Sequence, residues 1–303
     1  MSTIRFDDRV AIVTGAGGGI GECHAMLLAS RGAKIVVNDL GAPDTDGRGG
    51  SSSMADKVVA NIRALGGHAV ANYDSVSTPS GGEAIVQSAL EHFGRLDIVV
   101  NNAGILRDRS FAKLEWADLD AVIDVHLKGA FYVSKPAFQV MKAAGYGRFI
   151  FTSSASGLFG NFGQSNYGAA KAGVVGLANV LGIEGQRHNI LANSIAPIAK
   201  TRMTEELLGA DADVFKPEQT SPMVAYLCSE ECRLNQAVFS VGGGRVARIF
   251  TGLTRGWVEG GTMTVEAVRD NLDRIQNLEG FIQPSSIGDE TELMLQLLQS
   301  DTP

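Results

Sequence analysis

Residues 9–21 read Arg-Val-Ala-Ile-Val-Thr-Gly-Ala-Gly-Gly-Gly-Ile-Gly, an apolar run that closes in glycines, with a helical stretch over Glu22–Ser30 directly behind it. A strand, turn and helix of this kind aim backbone N–H groups and the positive end of a helix dipole at a phosphate, and side chains in the turn would hold a pyrophosphate away. Gly15, Gly19 and Gly21 set a G-x-x-x-G-x-G spacing. Ile20 stands where the last glycine of G-x-G-x-x-G would fall, and no Gly-Lys-Ser/Thr follows. Taken alone, the turn is also compatible with a simple tight reversal.

Further β-branched runs follow at 33–39, 68–74, 96–102, 148–154, 190–196 and 237–241, which with 9–15 make seven strand candidates separated by helical periodicity. Several are apolar on both faces, as a parallel sheet covered by helices on both sides requires. The expected fold is α/β, a Rossmann-type doubly wound parallel sheet in a single domain over 1–245. Gly, Ser and Asp crowd residues 41–53, an insertion loop after the second strand. Past 245 the pattern changes. Segments 264–278 and 290–300 read as amphipathic helices with no strand between them, so 246–303 forms a helical C-terminal extension, either a packing lid or a subunit contact.

Composition narrows the function. With 26 Lys+Arg against 33 Asp+Glu, the net charge of −7 argues against a sequence-independent grip on nucleic acid or anionic membrane. Hydrophobic residues make up 45% and charged residues 19%, which places the chain among sequences that fold. No stretch offers about 18 consecutive apolar residues, and the charged opening lacks the apolar core of a signal peptide. Cys23, Cys228 and Cys232 cannot build a disulfide framework and suit a reducing compartment; the latter two lack a His pair for zinc. The expectation is a cytoplasmic protein without a metal.

Asp39 closes the second strand 18 residues after Gly21, where an acidic side chain accepts hydrogen bonds from an adenosine ribose and repels a 2′-phosphate; this favours NAD over NADP. A solvated strand end is the plainer alternative. Asp74, Ser75 and Val76 end the third strand at the same sheet edge, suited to holding the adenine. Tyr167 and Lys171 stand four apart on a helical run over about 165–185, close enough for the ammonium to favour the phenolate and lower the tyrosine's pKa. Such a pair can also be a surface coincidence. Ser154, at the end of the fifth strand and 13 residues before Tyr167, is placed to hold a substrate oxygen against the phenol, although serines there also serve as helix caps.

Thr14–Gly21, the Asn-Asn-Ala-Gly at 101–104, Ser154 and Tyr167-x-x-x-Lys171 occur in an order and spacing that resembles the short-chain dehydrogenase/reductases, over residues 7 to about 245. Within that superfamily, residues 36–41, 70–76, 101–111, 153–167, 201–204 and 263–268 resemble the (3R)-hydroxyacyl-CoA dehydrogenase units of the type 2 multifunctional enzymes, also described as 17β-hydroxysteroid dehydrogenases. The resemblance implies Tyr167 as acid/base, Lys171 as its partner and a ligand of the nicotinamide ribose, and Ser154 as the group that polarises the carbonyl. It also implies that Asn102 and Gly104 flank the cofactor and that Ile198 and Ala199 lie by the carboxamide.

The same resemblance implies NAD, a secondary alcohol oxidised to a ketone, and an acyl-CoA or steroid substrate, with phosphates of CoA reachable from Arg107, Arg109 and Lys113. A homodimer or homotetramer is implied through the helices at 118–144 and 165–187. His126 replaces a frequent Asn of the superfamily, so it is either part of a relay to Lys171 or a satisfied helix residue. The sequence ends Asp-Thr-Pro rather than Ser-Lys-Leu and carries no hydratase or sterol-carrier region, which is expected of a stand-alone enzyme. A nucleotide-binding sensor without turnover is the reading from another functional class.

Overall fold

The computed structural model describes residues 3–41, 52–201, 204 and 209–300. Residues 42–51 of the glycine-rich insertion, Arg202, Met203 and the Asp-Thr-Pro end lie outside the described residues. Two compact units result, Met1–Arg248 and Ile249–Pro303.

The first unit alternates β1 (Val10–Thr14), α1 (Gly19–Ser30), β2 (Lys34–Asn38), α2 (Ser53–Ala64), β3 (His68–Asn72), α3 (Pro79–Phe93) and β4 (Ile98–Asn101). It continues with α4 (Trp116–Ile123), a π-helical turn (Asp124–Lys128), α5 (Gly129–Ala144), β5 (Gly147–Thr152), α6 (Ala155–Phe159), α7 (Ser165–Gly185), β6 (Ile190–Pro197), α8 (Ser221–Cys228), β7 (Val238–Gly242) and β8 (Arg245–Ile249). The strands form one sheet in the order β3-β2-β1-β4-β5-β6-β7-β8, parallel from β3 through β7.

The double-faced apolar pattern has a direct structural counterpart. Ala11, Val13, Ile35 and Val37 enter one core with residues of α1, α2 and α8, while their strand neighbours Val10, Ile12 and Val36 enter a second core with residues of α3, α5 and α7. Side chains that alternate across a strand thus meet helices on both faces. The order changes direction at β1 and β4, and a crevice opens beyond the carboxyl ends of strands at such a point.

The seven expected strands become eight. Gly243 and Gly244, with φ of 58° and 76°, form the two-residue connection that turns β7 back into β8. So short a link can join only antiparallel neighbours. In the second unit, the helix expected over 264–278 divides at Asn271 into α9 (Val265–Asp270) and α10 (Leu272–Gln276). The last helix, α11 (Ile287–Ser300), starts earlier than the expected 290. An antiparallel bridge between Leu253 and Ile282 adds an extended pairing that the sequence reading lacked.

Helices α3 and α5 pack through Gly82, where a Cβ would lie 2.4 Å from the carbonyl carbon and oxygen of Tyr132. Backbone cannot yield as a flexible side chain would. Gly82→Ala is expected to lower the free energy of unfolding by about 1–3 kcal/mol, since overpacking outweighs alanine's better helix propensity. Urea denaturation followed by circular dichroism measures this; an unchanged midpoint would show that the two helices separate at no cost.

Candidate active site

A cleft of about 540 Å³ lies beyond the carboxyl ends of β1 to β6. At its centre the chain leaves β1, reverses at Gly15 with φ of 63°, and enters α1. The Asn102 amide nitrogen, reaching over from the end of β4, donates to the carbonyls of Thr14 and Gly15 at 3.0 and 3.1 Å. A Cβ on Gly15 would lie 2.7 Å from the Cα of Ala103, and one on Gly21 would lie 2.3 Å from the Gly15 carbonyl oxygen. The first-turn amides of α1 have no carbonyl one turn earlier in the helix to accept them. Gly19, Ile20 and Gly21, which carry them, line the cleft.

Asp39 is tied to this turn: its Oδ2 accepts from the Gly17 N–H at 2.7 Å and its Oδ1 from the Gly41 N–H at 2.6 Å. Asp74 is held by the Asn72 amide at 2.7 Å, and Asn38 donates to Asn72 Oδ1 and to the Asp74 carbonyl. Asn38 and Asn72 thus set the Asp74 end of the cleft. Sequence reading missed both, although two asparagines closing neighbouring strands were visible.

Ser154 caps α6, its Oγ accepting from the Ser156 N–H at 3.2 Å. The cap and the expected substrate contact are therefore the same hydroxyl. Gly157 lets α6 approach α7, since a Cβ there would lie 2.7–2.8 Å from backbone atoms of Ala172 and Lys171. The Ser153 hydroxyl donates to the Lys171 carbonyl at 2.7 Å and fixes the register. Tyr167 and Lys171 then share a face of α7, with the Lys171 Nζ 5.5 Å from the Tyr167 ring centre.

Charge in this corner departs from the expectation that the ammonium lowers the phenol's pKa. The Lys171 Nζ donates to the Thr152 carbonyl at 2.6 Å, and burial brings the lysine down to about 7. Burial raises the Tyr167 pKa, with the Ser154 hydroxyl opposing the rise. Desolvation thus outweighs the attraction that spacing alone suggested.

His126 sits in the π-helical turn, 4% exposed, with its ring edge-on to Tyr167 at 5.1 Å between centres. Its Nε2 lies 3.0 Å from the Ile105 N–H and 2.7 Å from the Ile105 carbonyl. Burial, then the charge of Lys171, holds its pKa far below the usual histidine range, so the ring is neutral. Gly104 makes room for it: a Cβ would lie 2.3 Å from the His126 Cε1.

The cleft brings together Gly15, Gly19, Ile20, Gly21, Asp39, Asp74, Ser75, Val76, Asn102, Gly104, Ser154, Tyr167, Lys171 and Ala199. Ile198 is the exception. Its N–H continues the β6–β7 ladder to the Val241 carbonyl at 2.8 Å, and it packs over Gly242 instead of lining the cleft. Thr201 and Thr204 line it in turn, with the Thr201 methyl facing Gly19. Of the basic residues expected near CoA phosphates, Arg109 pairs with Asp118 at 2.7 Å and Arg107 approaches the same carboxylate at 3.5 Å, while Lys113 is exposed.

Two observations test whether a dinucleotide fits. Gly18 has an extended φ of −175° and no atom within 3.4 Å of a built Cβ, so packing does not demand a glycine there, yet it lines the cleft. In the same cleft Asp39 supplies carboxylate acceptors and the first turn of α1 supplies amide donors, the two kinds of group that a ribose and a pyrophosphate take. The residues fit.

The short chain dehydrogenase family model matches residues 9–212, and the chain belongs to that family of NAD(P)-using oxidoreductases. The mouse peroxisomal multifunctional enzyme type 2 is 50% identical over 301 residues, 98% of this chain and 40% of that one. This chain therefore spans two fifths of that relative's length. The structure of the full-length Drosophila melanogaster peroxisomal multifunctional enzyme type 2 superposes with a TM-score of 0.82 at 38% identity, covering 98% of this chain and 50% of that one. A hydroxyacyl-CoA dehydrogenase of Mycobacterium tuberculosis is 37% identical over 268 residues, covering 82% of this chain and 81% of its own.

The lysine carries a stability signature. Its pKa falls from 10.5 in the free side chain to about 7 in the fold, so between these values the unfolded state binds more protons and stability rises with pH. Denaturant midpoints of the nucleotide-free protein from pH 7 to about pH 10 are expected to climb relative to those of Lys171→Met. Parallel curves would mean that the buried ammonium keeps its charge.

Proposed function

We propose that this protein is an NAD-dependent dehydrogenase that interconverts (3R)-3-hydroxyacyl-CoA and 3-oxoacyl-CoA. The observation that carries the reading is the meeting of Ser154, Tyr167 and Lys171 in one cleft with the glycine turn and Asp39. A nicotinamide bound there supplies the hydride acceptor. The Ser154 hydroxyl donates to the substrate oxygen, and the Tyr167 phenolate takes the proton from the alcohol. Lys171 in its charged form favours that phenolate and reaches the ribose. Asp39 gives the preference for NAD, because a carboxylate beside the 2′ position repels a phosphate.

The acyl-CoA substrate rests on the likeness to the multifunctional enzymes and to the mycobacterial hydroxyacyl-CoA dehydrogenase. Arg107, Arg109 and Asp118 form a charged group at the substrate side, and a CoA phosphate there would compete with Asp118 for guanidinium donors. Among the described residues no helix is long and apolar enough to cross a membrane, and all three cysteines are free. The proposal places the enzyme in the cytoplasm. Residues 1–245 form the catalytic domain in this reading and 246–303 its helical extension. Exposed apolar side chains on α5 and α7, Phe131, Val180 and Ile183, support a homodimer or homotetramer.

NADH formation at 340 nm tests the activity with (3R)- and (3S)-hydroxyacyl-CoA esters and a 17β-hydroxysteroid. Turnover of the (3R) ester with NAD is expected, falling by about 10²–10⁴ in Tyr167→Phe as loss of an acid/base group does. Activity on the steroid alone would replace the substrate but keep the chemistry. NAD binding without turnover of any substrate would favour the sensor. Cofactor choice is tested by Asp39→Ser, which is expected to narrow the NAD-to-NADP ratio of kcat/KM by about tenfold, about 1.4 kcal/mol of discrimination. An unchanged ratio would remove Asp39 from cofactor choice.

A further inference from the structure

Gln164 lies three residues before Tyr167, in the turn that leads into α7, and is 8% exposed. Every polar atom of its amide is engaged. Oε1 accepts from the Ser156 hydroxyl at 2.7 Å and from the Asn161 amide at 3.0 Å, while Nε2 donates to the Asp108 carboxylate at 2.7 Å. An ionised carboxylate only accepts and an amide nitrogen only donates, so the neighbours on both sides fix which way the Gln164 amide faces. The backbone locks the same place, with the Arg109 N–H on the Gly163 carbonyl at 2.8 Å and the Gly168 N–H on the Gln164 carbonyl at 2.7 Å.

The consequence reaches Ser154 through Ser156. A serine hydroxyl has one proton, and Gln164 holds that of Ser156. Ser156 therefore meets Ser154 with its backbone N–H at 3.2 Å and with an oxygen lone pair at 3.4 Å. The Ser154 proton has only a long, weak bond to Ser156, so it is free to turn toward the Tyr167 phenol oxygen or toward an incoming substrate oxygen at ordinary hydrogen-bond distance. Without an acceptor at position 164, the Ser156 proton turns to the Ser154 oxygen and reorients that hydroxyl relative to the Tyr167 phenol.

We propose that Gln164, anchored by Asp108, is a positioning residue for Ser154: it holds the Ser156 proton and so keeps the Ser154 hydroxyl free to donate to the reacting oxygen. This deepens the proposed dehydrogenase function and rests on it for the kinetic arm of the test.

That arm is a double-mutant cycle on the substrate that the wild type turns over. Gln164→Leu is expected to lower kcat by about tenfold with KM within about twofold, the pattern of an interaction made in the transition state. In a Ser154→Ala background the same substitution is expected to change nothing further, because the residue it acts through is gone. Gln164→Glu alone sets a carboxylate against Asp108 and is expected to be as poor as Gln164→Leu. Combining it with Asp108→Asn restores a donor and an acceptor across the same bond, and is expected to return kcat to within about threefold of wild type. Equal fractional losses with and without Ser154, or no recovery in the combined variant, would overturn the proposal.

A second arm needs no substrate. In protein labelled at the tyrosine ζ-carbon, the NMR signal of Tyr167, identified by its loss in Tyr167→Phe, reports hydrogen bonding at the phenol. It is expected to move in Gln164→Leu but not when Gln164→Leu is added to Ser154→Ala. A signal unmoved by Gln164→Leu, or moved equally in both backgrounds, would overturn the positioning role even if the wild type proved silent toward every ester and steroid, a result that would sink the proposed function by itself.

Discussion

The Asn102 carboxamide spans the gap between the ends of two neighbouring parallel strands and takes the carbonyls of Thr14 and Gly15, while its backbone N–H donates to the Thr14 hydroxyl at 3.0 Å. This tie draws the turn after β1 against the segment after β4. It is the reason that Gly15 and Gly21 tolerate no side chain, one facing the Ala103 backbone and the other the Asn102 amide itself at 2.5 Å. Two of the glycines that advertise a phosphate site are thus demanded by packing. Gly18 is not demanded by packing, and that difference is what gives the turn its value as a ligand site.

From this fixed point the cleft is assembled by ties between strand ends. Asn38 and Asn72 hold Asp74, the Gly17 amide holds Asp39, and the Ser153 hydroxyl holds the first turns of α7 against β5. Each tie satisfies a buried polar group that would otherwise cost about 1–3 kcal/mol, so the same bonds that stabilise the sheet edge also preorganise the site. Position and stability are coupled here. A substitution at a tie such as Asn72 disturbs Asp74 without touching any ligand.

The central strands were legible because a strand apolar on both faces has few other solutions. Strand β8 was not, since Arg-Val-Ala-Arg-Ile at an exposed edge sets two charged side chains among three apolar ones with no alternation and reads as loop. The two positive-φ glycines before it were the available hairpin signal, spent instead on marking a domain end. Spacing along one element was readable: Tyr167 and Lys171 share a face of α7 and line one cleft. A position set by a neighbouring strand was not readable: Ile198 is drawn into the β7 ladder and lies outside the cleft lining.

The direction of the pKa shifts was illegible for a related reason. Spacing tells that an ammonium and a phenol share a helical face, but the sign of the shift depends on how much water each has lost, which only the packed fold determines. Burial lowers Lys171 and raises Tyr167, so both groups are pushed toward their neutral forms. A neutral pair cannot serve as base until charge is restored beside it. Two polar groups on the protein side favour the charged forms: the Ser154 hydroxyl, which opposes the rise at Tyr167, and the Thr152 carbonyl, which accepts from the lysine. In the proposed chemistry the direction of the Ser154 proton matters, because that hydroxyl touches both the phenol and the chain of bonds through Ser156 and Gln164.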